Sequence, residues 1–254
     1  MNAVFKTMLA ALLRDMHTIV LTVILPIGLL LGLGLYHENP DYSQRLLGGV
    51  LAMQVLVGSS MVTAFYVMAQ RNKGIYKLLR ITPFSTASFI CAMTASRAVL
   101  SMIVNLIILA AGIFILKVEL SFAAILAVLL ILLAGTVCFT AVGFIAANLS
   151  KDESNVNLIS NLFSFPMLFM SEAFYSLQGA PAWLLTLSKL NPFAYFVDSL
   201  GIAISQLGSS PSFWQPLAIL TAFAVLLMAV AAVTFRWDSE RFSRRRAVSG
   251  KAAS

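Results

Sequence analysis

Few residues in this chain have the type and spacing that acid–base, nucleophilic or metal chemistry needs. Cys91 and Cys138 fall in or beside apolar segments, and their separation fits neither a disulfide framework nor a metal site. His17 and His37 stand far apart with no partner cluster, so no zinc, haem or other metal is expected. No GxxxxGK[ST] phosphate cradle occurs; the only Gly-Lys pair is Gly250-Lys251, in a polar tail with no helix to follow. The chain is therefore not expected to hydrolyse ATP, and no catalytic residue is assigned. What it does hold is concentrated charge. The run RNKGIYKLLRITP, residues 71–83, carries Arg71, Lys73, Lys77 and Arg80 and no acid, with long apolar runs on both sides. Residues of that kind bind: either anionic headgroups or a groove on another protein.

The elements that must position these cations follow from composition. Of 254 residues, 60% are apolar and only 11% charged, against about a quarter charged in soluble domains. That is too little polar surface to wrap a water-soluble globule, so lipid is the expected solvent. The net charge of +7 sits in short breaks between apolar runs, which suits basic loops of a membrane protein better than a nucleic-acid groove.

Six stretches approach the roughly 20 apolar residues of a spanning helix: about 18–36, 46–68, 98–116, 120–147, 156–171 and 216–235. The first exceeds a signal-peptide core and is expected to remain as a span. Pro166 is expected to kink the fifth. Six spans place both termini on one side. Of the 17 Lys and Arg, only Arg45, Lys117 and Lys189 then fall on the other, so both termini, the tail 236–254 and the stretch 71–83 are expected in the cytoplasm. Phe193–Leu207 is too short for a seventh span. Asn191-Pro192 is a helix start, with Asn as cap and Pro as first helical residue, and short helices at the outer interface are expected before the sixth span. Residues 1–15 place Val4, Phe5, Met8, Leu9 and Leu12 on one helical face opposite Lys6, Thr7 and Arg14, an interfacial helix.

Over 73–81, Ile75, Leu78 and Leu79 share one face and Lys73, Lys77 and Arg80 the other; Pro83 stops the helix. An interfacial anchor held by anionic lipid is one account of this segment. A docking helix for a cytosolic partner is the other.

The run Gln70-Arg-Asn-Lys-Gly-Ile-Tyr-Lys-Leu-Leu-Arg-Ile-Thr-Pro83 resembles the charged, Leu-rich segment ending in Thr-Pro that follows the second span in permeases of type-2 ATP-binding-cassette (ABC) exporters. Lys73-Gly74 stands where that family usually has an acid–Gly pair. Leu190-Asn-Pro-Phe-Ala-Tyr195, preceded by Pro181-Ala-Trp183, is similar to the family's outer Asn-Pro-aromatic turn. The resemblance covers the whole chain in size, span count and order of parts. It implies one transmembrane domain over 1–254 in the cell membrane, working as a dimer with a second copy or a paralogue. Two cytosolic ATPase subunits would bind ATP and Mg, with Arg71, Lys73, Ile75, Tyr76, Lys77, Leu78, Leu79 and Arg80 as the docking residues.

Polar residues inside spans mark helix contacts or a path. In the fifth span Asn157, Asn161 and Ser164 share a face, with Phe165 beside them; in the second, Gln54, Gly58 and Met61 do. Interhelical hydrogen bonding explains these as well as a cavity lining does; in the resembled exporters the route lies between the second and fifth spans of two protomers. Glu172, at the outer end of the fifth span, either snorkels to water or serves the exit. Arg97 marks the inner boundary of the third span. Gly28-x-x-x-Gly32 and Gly143-x-x-x-Ala147 allow close helix packing, within the chain or across a dimer. The expected function is export of a small amphiphilic, drug-like or lipid-like solute. An ATPase-independent secondary transporter or channel is the alternative, and the lack of a repeat or a clear mid-membrane charge counts against it. A membrane scaffold would need no polar stripe in the fifth span.

Overall fold

A computed structural model describes residues 16–34, 39–74, 86–175, 179–205 and 213–235. The described residues form helices and no strand: α1 Met16–Gly34, α2 Pro40–Leu56, a π-turn at Val57–Met61, α3 Val62–Asn72, α4 Thr86–Leu116, α5 Phe122–Leu149, α6 Glu153–Phe169, α7 Ala182–Ser188, α8 Pro192–Ile204 and α9 Trp214–Thr234. Four helical rods are long and apolar enough to cross a membrane on their own: 41–72 through the π-turn, α4, α5 and α9. The interfacial helix expected over 1–15 and the tail 236–254 lie outside the described residues.

Local chemistry sets the helix starts. Asn39 caps α2 by accepting from Asp41 N at 3.0 Å, with Pro40 in the first turn. Ser121 caps α5 through Ala124 N at 3.2 Å. Asp152 caps α6 through Asn155 N at 2.8 Å, and Glu153 adds an acid where the helix dipole is positive. Two boundaries differ from the sequence reading. The third span begins at Thr86 rather than Ala98, because Arg97 is absorbed inside the bundle instead of marking its edge. The second span runs from Pro40 to Asn72 rather than 46 to 68. α6 continues through Pro166 and ends a turn later, Met170 N bonding the Pro166 carbonyl at 2.9 Å.

α5 is the central column, touching α2, α3, α4, α6, α8, α9 and the π-turn. The region expected at an outer interface goes deeper. α8 buries Phe193, Phe196, Leu200 and Ile204, and Phe196 packs on Gly135, midway along α5. Phe139 meets Phe193 and Phe196 edge-on at 5.7 and 5.5 Å. Its apolar face explains the insertion: five of the side chains that make α8 look like part of a span (Phe193, Phe196, Leu200, Ala203 and Ile204) are wholly buried in protein. Around Gly143 the same closeness recurs, since a Cβ there would overlap the Ser60 carbonyl. A Cβ added at Gly28 or Gly32 would meet no described residue outside its own helix turn within 4 Å.

Gly135→Ala would drive its methyl into the Phe196 ring. The expected loss is about 1–3 kcal/mol, read as a lower Tm in detergent.

Candidate functional site

At one end of the bundle α3 closes on Lys73 and Gly74. Lys73 N bonds the Ala69 carbonyl at 3.0 Å and Gly74, at φ 71°, turns the chain out of the helix. The helix expected from residue 73 therefore cannot include this pair. Ile75, Tyr76, Lys77, Leu78, Leu79 and Arg80 lie outside the described residues. Lys73 is exposed, whereas Arg71 is only 6% exposed. Its Nη1 donates to the Ala147 carbonyl at 2.9 Å and its Nη2 to Asn148 Oδ1 at 3.1 Å. Asn148 Nδ2 in turn reaches the Ala231 carbonyl at 3.4 Å and Thr234 Oγ1 at 3.3 Å. Asn72 Nδ2 donates to Glu153 Oε1 at 3.2 Å. The ends of α3, α5, α6 and α9 are thus tied into one polar joint, and Arg71 serves that joint.

α6 presents the fifth-span face. Asn161 Nδ2 donates to Asn157 Oδ1 at 3.0 Å, and Ser164 Oγ lies 3.4 Å from Ser60 Oγ of the π-turn. Asn157, Leu158, Leu162, Phe165 and Phe169 are exposed, the two leucines at 67% each, so this chain leaves that face uncovered. Phe165 and Phe169 stack at 6.4 Å. Gln54 and Gly58 line a cavity of about 230 Å³ with Thr22, Pro26 and Leu29 of α1, and Met61, half-buried, sits in the π-turn. A wheel drawn at 100° per residue fails there, because the wider turn resets the register; Ser60 becomes the residue that faces the fifth span.

At the opposite end Asn191 is 6% exposed and saturated. Its Oδ1 accepts from Phe193 N at 3.0 Å, and its Nδ2 donates to the carbonyls of Met167 at 2.7 Å and Met170 at 3.1 Å. One side chain caps the start of α8, with Pro192 at its first position, and satisfies the end of α6. Glu172, half-buried just beyond α6, lines a cavity of about 590 Å³ with Asp41, Arg45, Tyr195 and Asp198. Asp198 is exposed to that cavity; partial burial first, and the neighbouring Glu172 charge second, push its carboxyl up from 3.8 to about 6. The sequence signal for Asp198 is a lone acid in the apolar run of α8.

Arg97 corrects the view that the bundle has no buried charge. It is 5% exposed and donates through Nη2 to the Gly58 carbonyl inside the π-turn. Among the described residues no group of three His, Cys, Asp or Glu is placed to hold a metal.

With this bundle in view, the ABC-2 type transporter family profile matches residues 1–204, and the chain belongs to that family. It is similar to the probable multidrug ABC transporter permease YbhR of Escherichia coli K12, 22% identical over 190 residues that make up 74% of this chain and 51% of that protein. It is also similar to the inner membrane transport permease YadH of the same strain, 22% identical over 193 residues, 76% of this chain and 72% of that protein. The chain spans about half the length of the YbhR-type relatives it matches.

Two outcomes are expected. Asn191→Ala strips partners from two carbonyls and an amide, and is expected to lower stability by about 2–4 kcal/mol, read by thermal unfolding. Protonated Asp198 stabilises the fold fully below pH 3.8, and that contribution is lost as pH rises to about 6. Across that interval Asp198→Asn should gain a growing Tm advantage over the parent chain.

Proposed function

We propose that this chain is the membrane-spanning permease subunit of an ATP-driven exporter, moving a small amphiphilic, drug-like or lipid-like solute. In this reading α1 and α6 complete six spans, both termini face the cytoplasm, and a separate ATPase, carrying ATP and Mg, docks on the segment 71–82. Family membership supports the class, and the relatives named for multidrug and transport roles support the cargo type. The charge asymmetry of the loops supports the orientation.

The observation that carries the path is the uncovered face of α6. Asn157 and Asn161 bond each other there, beside Phe165, with Asn157 exposed and Asn161 half-buried among the described residues. Amides facing hydrocarbon are costly, so this face suits a second protomer and a wetted route between the two. Stacked, weakly shape-selective aromatic surface suits an amphiphile. Glu172 and the cavity of about 590 Å³ around it then stand at the exit.

In liposomes holding the permease–ATPase complex, Asn157→Leu/Asn161→Leu is expected to cut solute transport at least tenfold while the protein still inserts and dimerises. Unchanged transport would place the route elsewhere. Co-purification tests the docking: the triple variant Lys77→Ala/Leu78→Ala/Leu79→Ala is expected to lose the ATPase with Tm unchanged, and retention would remove the docking role. The buried Arg97 keeps an ATPase-independent carrier as the second reading, since a buried ionisable residue is typical of that class. Solute movement by the purified chain without ATP would favour it.

A further inference from the structure

Arg97 belongs to neither the path nor the docking residues. It lies roughly a third of the way along α4 from the end that holds the Arg71 joint. Removing a guanidinium from water costs several kcal/mol even after relaxation, and among the described residues no carboxylate pairs with it. Its partner is instead the carbonyl of Gly58, the second residue of the π-turn. A π-turn is an α-helix carrying one residue too many. Relaxing it to α would rotate the helix beyond it by about 100° and slide it by about 1.5 Å.

Three features indicate that side chains and neighbours hold this turn. The carbonyls of Leu56 and Gly58 receive side-chain donors, the Ser60 hydroxyl and Arg97. Gly143 of α5 abuts the Ser60 carbonyl so closely that no Cβ would fit. The hydroxyls of Ser59 and Thr63 in and just after the turn, of Thr94 one turn before Arg97 on α4, and Arg97 Nε itself are buried and make no hydrogen bond. A rearranged turn therefore has donors and acceptors at hand. Beyond the turn, α3 buries Ala64, Val67 and Met68 in an apolar cluster with Phe144, Ala146 and Ala147 of α5, and its far end is tied by Arg71 on the Ala147 carbonyl and Asn148 and by Asn72 on Glu153.

We propose that Arg97 is a positioning residue for the second span: through the Gly58 carbonyl it holds Val57–Met61 in the π form, and so sets the rotation of α3. This rests on the permease reading, in which α3 carries motion between the ATPase and the path. The latched turn is one state of the second span. Release of Gly58 gives the other, with α3 turned against α5.

Spin labels on Lys73→Cys and Leu149→Cys, in a full-length chain with Cys91→Ser and Cys138→Ala, report the rotation of α3 against α5 by pulsed EPR in nanodiscs. The parent sequence is expected to give one distance. Arg97→Ala is expected to add a second population displaced by about 5 Å, while Arg97→Lys, which keeps a cationic donor, stays close to the parent. Should Arg97→Ala not fold, Arg97→Gln, which loses the charge and much of the reach, carries the same expectation. In the ATPase complex, Arg97→Ala should raise the ATP spent per solute moved at least about fivefold, with partial rescue by Arg97→Lys. A single, unshifted distance in the folded Ala or Gln variant overturns the latch, as does an unchanged coupling ratio. Absence of ATP-driven transport by the parent complex overturns the permease reading instead and leaves the EPR outcome on the isolated chain to decide the latch.

Discussion

The distance at which helices can approach α5 governs the rest of this bundle. In lipid there is no hydrophobic gain from bringing two apolar helices together, so close van der Waals contact and internal polar pairing must hold them. Gly135 and Gly143 supply that contact at two depths. One receives the Phe196 ring of α8, and the other lets the π-turn backbone rest directly on the column. The aromatic cluster of Phe139, Phe193 and Phe196 follows from the first contact, and the placement of Ser60 toward α6 follows from the second.

Polar pairing then locks the ends. A bilayer offers no water to orphaned carbonyls, and here side chains fill that role. Asn191 serves two carbonyls of the α6 terminus, Arg71 serves the Ala147 carbonyl and the Asn148 side chain of α5, and Asn148 passes the tie on to α9. Each carries a planar polar group that satisfies several partners from one position, which suits a site with little room. α3 is clamped to its neighbours at one end and continues from the π-turn at the other.

Much of this architecture is legible in the residues alone. The runs 120–147 and 216–235 match α5 and α9 to within two residues at either end, because neither contains a charge to confuse the boundary. Asn191-Pro192 reads directly as a helix start, and the same signal at Asn39-Pro40 marks α2. What eludes the sequence has specific physical causes. Arg97 looks like a boundary because a charge in an apolar run is ambiguous until its partner is known, and that partner is a backbone atom with no signature. Gln54 and Gly58 keep a common face on one cavity, while Met61 lies in a widened turn that breaks the helical period and that the sequence does not announce. Arg71 reads as one of four loop cations, and only the tertiary fold separates it from Lys73. Asp198 gains its character from a cavity assembled by four separate segments.

The brevity of α6 bears on the surrounding bilayer. Seventeen residues rise about 26 Å, less than the roughly 30 Å of a typical hydrocarbon core, whereas the 31 residues of α4 and the 28 of α5 overshoot it. In the proposed six-span arrangement that mismatch would be met by tilt of the longer helices and by thinning of the bilayer beside α6. Membrane thickness then acts on the protein first through its shortest pillar, so acyl length becomes a control on this bundle that no ligand has to supply.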